Sequence, residues 1–430
     1  MTGKSKIVSV SEAVGMISDG DKIAISSAGI VGYPDYIVKH LEDRFLATAH
    51  PAGLTLYAGC GHGVPYLHQG DQRFGHKGMV KRMICSHPDV VPELRALIEQ
   101  NEMEAYVLPQ GVLQHLYRCS ACREPGLLTK IGIGTYVDPR LEGGRINSVT
   151  TKDIVSVMEV DGEEYLYYRA FPVTVAIIRG TTADARGNVT IEREPLRLEA
   201  LEIALAAKAA GGRVIVQVER TAAVGSLKTK DVQIPGQLVD AVVITEEPEL
   251  YHRQTAGTVY SPYMSGELRQ ETGTTSVPAV VLSPEDIVCR RAVYELFPGA
   301  VVNVGVGIGS GVGPAADIEG MQDKVTFTLE LGVFGGIPQP AKDFGVAVNP
   351  ESIVTHPTMF DYYHGGSLDM TFLGVAQMDK LGNVNVSRFG GRAAGQGGFI
   401  DISQSSKKVV FCTYFKAKGF KAGVSGGELV

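Results

Sequence analysis

Cysteine is scarce and scattered. The 430-residue chain holds six, at Cys60, Cys85, Cys119, Cys122, Cys289 and Cys412, and only Cys119 and Cys122 are close in sequence. A zinc site needs a second pair or histidines at ligand spacing. Neither follows, so no metal site is expected and the cysteines are read as packing residues of a reducing, cytoplasmic compartment. The first eight residues carry Lys4 and Lys6 but lack the apolar core of a secretory leader. No run approaches the roughly 18 apolar residues of a membrane span. Positive charge is in deficit: 40 Lys and Arg face 47 Asp and Glu, for a net charge of -7. That balance argues against nucleic acid or an anionic membrane as the main partner. No Walker A loop occurs. Glycines alternate through Gly305, Gly307, Gly309, Gly311 and Gly313, but Ser310, Val312 and Pro314 stand where a G-x-G-x-x-G frame would need its last glycine. Gly423-Val-Ser425-Gly-Gly427 has the spacing of a nucleophile elbow, yet three residues remain where a hydrolase needs a downstream acid and histidine.

What is present suits a globular protein of two or three domains: 44% hydrophobic and 20% charged residues over a length that supports real cores. Ser9 and Glu12 have capping-box spacing over an apolar stripe of Ala13, Val14 and Ile17. Gly20 stops that helix, and residues 22–25 read as a strand. A glycine turn with Gly29, Gly32 and Pro34 follows, then a helical face of Ile37, Val38, Leu41 and Phe45. The second half repeats the order. Ser283 caps a helix with Pro284 at its first position, Pro298-Gly299 ends it, and residues 301–304 form a β-branched strand that runs into the glycine loop.

Ala13, Val14 and Gly20 map onto Ala292, Val293 and Gly299 at an offset of 279. A second offset, 195, carries Asp184-Ala-Arg-Gly-Asn188 onto Asp379-Lys-Leu-Gly-Asn383, both tight hairpin signals, and residues 214–218 onto 409–413. Two ordered offsets imply one fold occurring twice, with about 84 extra residues in the first copy, the difference between the offsets. Residues 196–210 read as a helix. The expected fold is therefore α/β: two similar open α/β domains from an internal duplication, residues 1–247 and 278–430, joined by a linker over 248–277. Ligands of open α/β sheets sit beyond the carboxyl ends of the strands, so the site is expected between the domains.

One acid stands out. Residues 325–329 form an apolar strand, Glu330 ends it, and a glycine-rich loop follows. A cap or ion-pair partner is the plain reading of such a residue. From 325 to 339, however, no counter-charge occurs. A carboxylate without an adjacent ion-pair partner suits a nucleophile.

Val-Asn-Val-Gly-Val-Gly at 302–307 followed by Glu330-Leu-Gly332 resembles the N-x-G-x-G strand and nucleophilic E-x-G of the family I CoA-transferases. Gly365-Gly-Ser-Leu-Asp369 with Leu373-Gly-Val-Ala-Gln377, Gly395-Gln-Gly-Gly-Phe-Ile-Asp401, and Leu108-Pro-Gln-Gly111 extend the likeness. Gly132 to Arg140 and Ser265-Gly-Glu267 resemble the acetate/propionate, acetoacetate-type branch. The resemblance implies transfer of CoA between short carboxylic acids through a covalent glutamyl-CoA thioester on Glu330. Gln110 and the Gly398 amide are implied as oxyanion donors. Gly305, Gly307, Gly397 and Gly398 are implied to admit the CoA arm, with Lys407 near its phosphates, and Gly29 and Gly32 to line the acyl pocket. It implies no permanently bound cofactor, coenzyme A as substrate, acyl-CoA and short acids as partners, and a homo-oligomer. Single-chain members usually run on beyond Glu428-Leu-Val430, so a shortened second domain is expected. Two alternatives stay open: an acyl-CoA hydrolase using Glu330 as base, and a CoA-sensing module without turnover.

Overall fold

A computed structural model describes residues 5–271, 283–390 and 392–414, together with the strand pair Val424–Ser425 and Glu428–Leu429. Two sheets dominate it. The first has seven strands in the order Ala241–Ile244, Arg213–Val218, Val175–Arg179, Lys22–Ile25, Leu54–Ala58, Val80–Cys85, Glu104–Val107, every neighbour parallel. Its central strands read as continuous apolar runs because both faces are covered, each by its own buried cluster. The second sheet has six, Ser352–Ile353, Val333–Phe334, Thr326–Leu329, Val301–Val304, Met370–Gly374 and Lys408–Cys412, the last four parallel.

The repeat is structural as well as sequential. Arg213–Val218, Val175–Arg179, Lys22–Ile25 and Leu54–Ala58 stand in the order taken by Lys408–Cys412, Met370–Gly374, Val301–Val304 and Thr326–Leu329. Lys22 pairs with Thr55 as Val301 pairs with Thr326. Both copies open on the same device: Ser9 and Ser283 each cap a helix, with Glu12 and Asp286 reaching back to the cap's own N–H. Both close their hairpins alike. Asp184 Oδ1 accepts from the Arg186 and Asn188 amides, and Asp379 Oδ1 from those of Leu381 and Asn383. The extra residues of the first copy include an antiparallel sheet of Gly126–Thr129, Val155–Val160 and Glu163–Arg169, set between the helix Gln110–Cys122 and the strand Val175–Arg179.

One local reading needs correction. The helix expected over 196–210 spans Ala200–Ala209. Its expected first turn is instead a buried crossing segment, with Leu198 at φ 51 and its carbonyl accepting from the His356 amide at 3.1 Å. Tertiary contact overrides helix propensity there. The stretch expected as a linker is packed along part of its length. Gln254 and Thr255 are buried, and the Tyr263 carbonyl accepts from the Asn349 amide. Residues 272–277 of that linker lie outside the described residues.

Candidate active site

A cavity of about 470 Å³ opens where the carboxyl ends of the two sheets meet. Its wall takes Gly29, Cys60 and Gln110 from the first half and Gly305, Glu330, Gly397 and Gly398 from the second. Glu330 follows directly on the strand Thr326–Leu329, which leaves its side chain at the sheet's carboxyl edge. It is 8% exposed, and its Oε2 has no hydrogen-bond partner among the described residues. Burial pushes the carboxyl above the ordinary glutamate range, opposed by its own backbone N–H and by Asn303. Asn303 lies wholly buried and is itself fixed, its Oδ1 accepting from Thr371 and its Nδ2 donating to Tyr363.

Gln110 opens the helix Gln110–Cys122, and its backbone N–H donates to the Gly397 carbonyl at 3.1 Å. The Gly397 N–H in turn donates to the Ser86 carbonyl, so the 395–398 loop of the second half is docked on the first. Only glycine permits that approach at 395: φ is +81, and a Cβ would lie 2.7 Å from both Pro88 Cδ and the Ser86 carbonyl oxygen. Gly398 faces the acid. A Cβ there would stand 3.8 Å from Glu330 Cγ, and the Gly398 N–H has no acceptor among the described residues.

Three expected binding residues fall elsewhere. Lys407 is exposed and paired with Asp369 at 2.8 Å. Both precede their strands, so they sit at the amino edge of a parallel sheet whose carboxyl edge carries Glu330. Gly32 lies off the cavity wall, where a Cβ would meet Leu198 Cδ1 at 2.4 Å. Gly307, at φ +87, also lies off the wall and faces open space. The lysine that does line the cavity is Lys342, its Nζ 5.6 Å from the Tyr66 ring.

Sequence reasoning passed over several residues. Cys60 lies beside Glu330, and burial, reinforced by that carboxylate, drives its thiol pKa upward. Gln396 is held by a hydrogen bond between its Oε1 and the Tyr136 hydroxyl, while its buried Nε2 is unpartnered among the described residues. His356 and Glu199, both fully buried, sit behind Gln110. Gln396 lies within the Gly395–Asp401 motif, which is its sequence signal. Cys60, Glu199 and His356 stand in no pattern that sequence distinguishes.

The architecture has close counterparts. The coenzyme A transferase profile matches residues 7–245. The caffeate CoA-transferase of Acetobacterium woodii is 42% identical over 431 residues, covering 99% of this chain and 81% of that protein. This chain belongs to the coenzyme A transferase family. The acetate CoA-transferase YdiF of Escherichia coli (strain K12) is 39% identical, covering 100% of this chain and 80% of that protein. The solved acyl-CoA transferase YdiF apoenzyme of Escherichia coli O157:H7 superposes at a TM-score of 0.90 with 38% identity, over 100% of this chain and 80% of that one. A second YdiF structure, at TM-score 0.88 and 37% identity over 99% and 80% of the two chains, is described as a thioester complex with CoA. The transferase is thus an enzyme that moves CoA among carboxylic acids, with coenzyme A as co-substrate. No helix among its described residues is long and apolar enough to cross a membrane.

Proposed function

We propose that this transferase exchanges CoA between short carboxylic acids by a ping-pong reaction on Glu330. The Glu330 carboxylate adds to the thioester carbonyl of acyl-CoA. The C–S bond breaks, CoA leaves as thiolate, and a mixed anhydride of Glu330 and the acyl group remains. The thiolate then attacks the Glu330 carbonyl, releasing the first acid as its carboxylate and leaving a glutamyl-CoA thioester. A second acid runs the same steps in reverse. Each step passes through an oxyanion, for which Gln110 and the Gly398 N–H serve as donors.

The observation that carries this reading is Glu330 itself: a buried acid whose Oε2 has no partner among the described residues, lining one cavity with Gly398, whose N–H has no acceptor among them either. The thioester complex described for YdiF supports it. Gly305, Gly397 and Gly398 are assigned to the CoA arm, and Gly29 to the acyl pocket. The domain limits 1–247 and 278–430, a cytoplasmic setting and a homo-oligomer belong to the same proposal.

Acyl-CoA added without an acceptor acid should leave CoA on the protein. Borohydride should then reduce the Glu330 carbonyl to an alcohol, found by mass spectrometry on the peptide containing residues 325–336 and on no other. Glu330→Gln should bind CoA yet lose both label and transfer. Transfer activity without any trappable adduct would sink the covalent route. Release of free CoA that is indifferent to added acid, with no adduct, would make the protein a hydrolase. Among acids, acetyl-, propionyl-, butyryl- and acetoacetyl-CoA should outpace palmitoyl-CoA. The kinship with a caffeate CoA-transferase makes caffeate a necessary member of the acceptor panel. Faster turnover of palmitoyl-CoA than of acetyl-CoA would overturn the short-acid assignment.

A further inference from the structure

Behind Gln110 lies a buried polar chain that crosses between the two halves. Gln110 Nε2 stands 2.9 Å from His356 Nε2, and His356 Nδ1 stands 2.9 Å from Glu199 Oε2. The other Glu199 oxygen accepts from the Ser27 amide at 3.2 Å, two residues before the cavity-lining Gly29. Glu199 and His356 are 0% exposed and Gln110 is 1% exposed. His356 is the first residue of the helix His356–His364, capped by Thr355, and its own N–H is tied to the Leu198 carbonyl. No part of this chain is free to turn.

The chemistry of the contacts fixes the hydrogens. A carboxylate only accepts, so the His356 ring proton sits on Nδ1 and is donated to Glu199. In the neutral ring Nε2 then presents its lone pair, to which the Gln110 amide nitrogen donates. Glu199 thereby selects the tautomer, and the tautomer selects which end of the Gln110 amide faces the ring. The remaining Gln110 N–H has one direction left to it. Without this chain a glutamine amide has two near-equal orientations that exchange a donor for an acceptor.

We propose that Glu199 and His356 are positioning residues that hold the Gln110 amide in its donor orientation for the oxyanion. The inference rests on the reading of Gln110 given above, and wild-type transfer with a trapped Glu330 adduct tests that reading separately.

Three variants separate positioning from mere support. His356→Gln keeps an acceptor oxygen near the Nε2 position. His356→Asn keeps a group near Nδ1 but nothing within reach of Gln110. Glu199→Gln has the same shape, but its amide puts a donor against either the Ser27 N–H or His356 Nδ1. Folding is followed by thermal melting and CoA binding by calorimetry with CoA alone. With wild type active, His356→Asn and Glu199→Gln should lose roughly ten- to a hundredfold in kcat, a fraction of the loss expected on removing the donor itself, with CoA affinity within about threefold of wild type. His356→Gln should recover most of the lost kcat. Overturning results are wild-type kcat in either disrupting variant, or a kcat in His356→Gln as low as in a folded His356→Asn. If His356→Asn fails to fold, the comparison of Glu199→Gln with His356→Gln decides by the same criterion.

Discussion

Burial and reactivity oppose each other at Glu330. The carboxyl is raised above its usual range by desolvation, so the folded state favours the protonated acid. Stability from such a group is fully present below the unfolded-state pKa and is lost as pH rises through the folded-state value. At neutral pH, where attack needs the anion, the ionised Glu330 therefore costs stability. Glu330→Gln should melt higher than wild type at pH 7 to 8, by about 1.4 kcal/mol for each pKa unit of the shift. The difference should shrink on acidification, as a pair of melting curves at two pH values will show. Transfer by the wild type should fall on the acid side at a pH above the ordinary glutamate range, visible in a kcat profile. Gln110→Ala removes a donor and should lower kcat by about 10²–10³ while CoA binding persists. Loss of CoA affinity with kcat unchanged would make Gln110 a binding residue.

At the scale of elements, the glycine loops hold the site at fixed spacing. Gly332 follows the strand that delivers Glu330 and has φ +111, and a Cβ there would stand 2.3 Å from the Val354 carbonyl oxygen. Gly332→Ala combines a disallowed backbone with a backbone clash and should destabilise the fold by more than about 1 kcal/mol, measured by denaturant unfolding. What sequence displays at this scale is local. The Ser9 capping box, the Ser283 cap, two Asp-x-x-Gly-Asn hairpins and the strand ending at Glu330 all lie within a few residues of their own signals, and the structure has all of them. What it conceals is distant. Leu196-Arg-Leu-Glu199 has helical composition, yet it is pulled out of the helix by a histidine 157 residues away. Lys407 looked available for phosphates because sequence does not say which edge of the sheet a strand's first residue occupies. Gly32 and Gly307 carry the glycine signal of a ligand loop but serve a packing contact and a turn.

At the scale of the molecule, the halves meet as folded units with a clasp beside the site. Asp361, on the helix His356–His364, accepts from Arg118 on the helix Gln110–Cys122, and His115 Nε2 lies 2.9 Å from the same carboxylate. Burial opposes these partners, yet they hold Asp361 down at about 2. That contribution is present above the unfolded-state pKa of an aspartate and is lost only as pH falls toward 2. Since each half has its own sheet and core, residues 1–247 and 278–430 produced as two chains should associate and restore transfer that neither shows alone. A two-chain preparation that forms a complex but transfers nothing would place an essential role in the connecting segment.

The register of the two copies carries one more consequence. Thr55 and Thr326 are equivalent by their pairing with Lys22 and Val301, so the position matching Glu330 is Gly59. The first copy thus has glycine where the second has the acid, and a Cβ at Gly59 would stand 2.4 Å from Gln114 Nε2. Duplication of the fold has not duplicated the acid proposed as nucleophile. The stoichiometry follows: however many chains assemble, trapping with acyl-CoA should saturate at one equivalent of CoA per polypeptide rather than two.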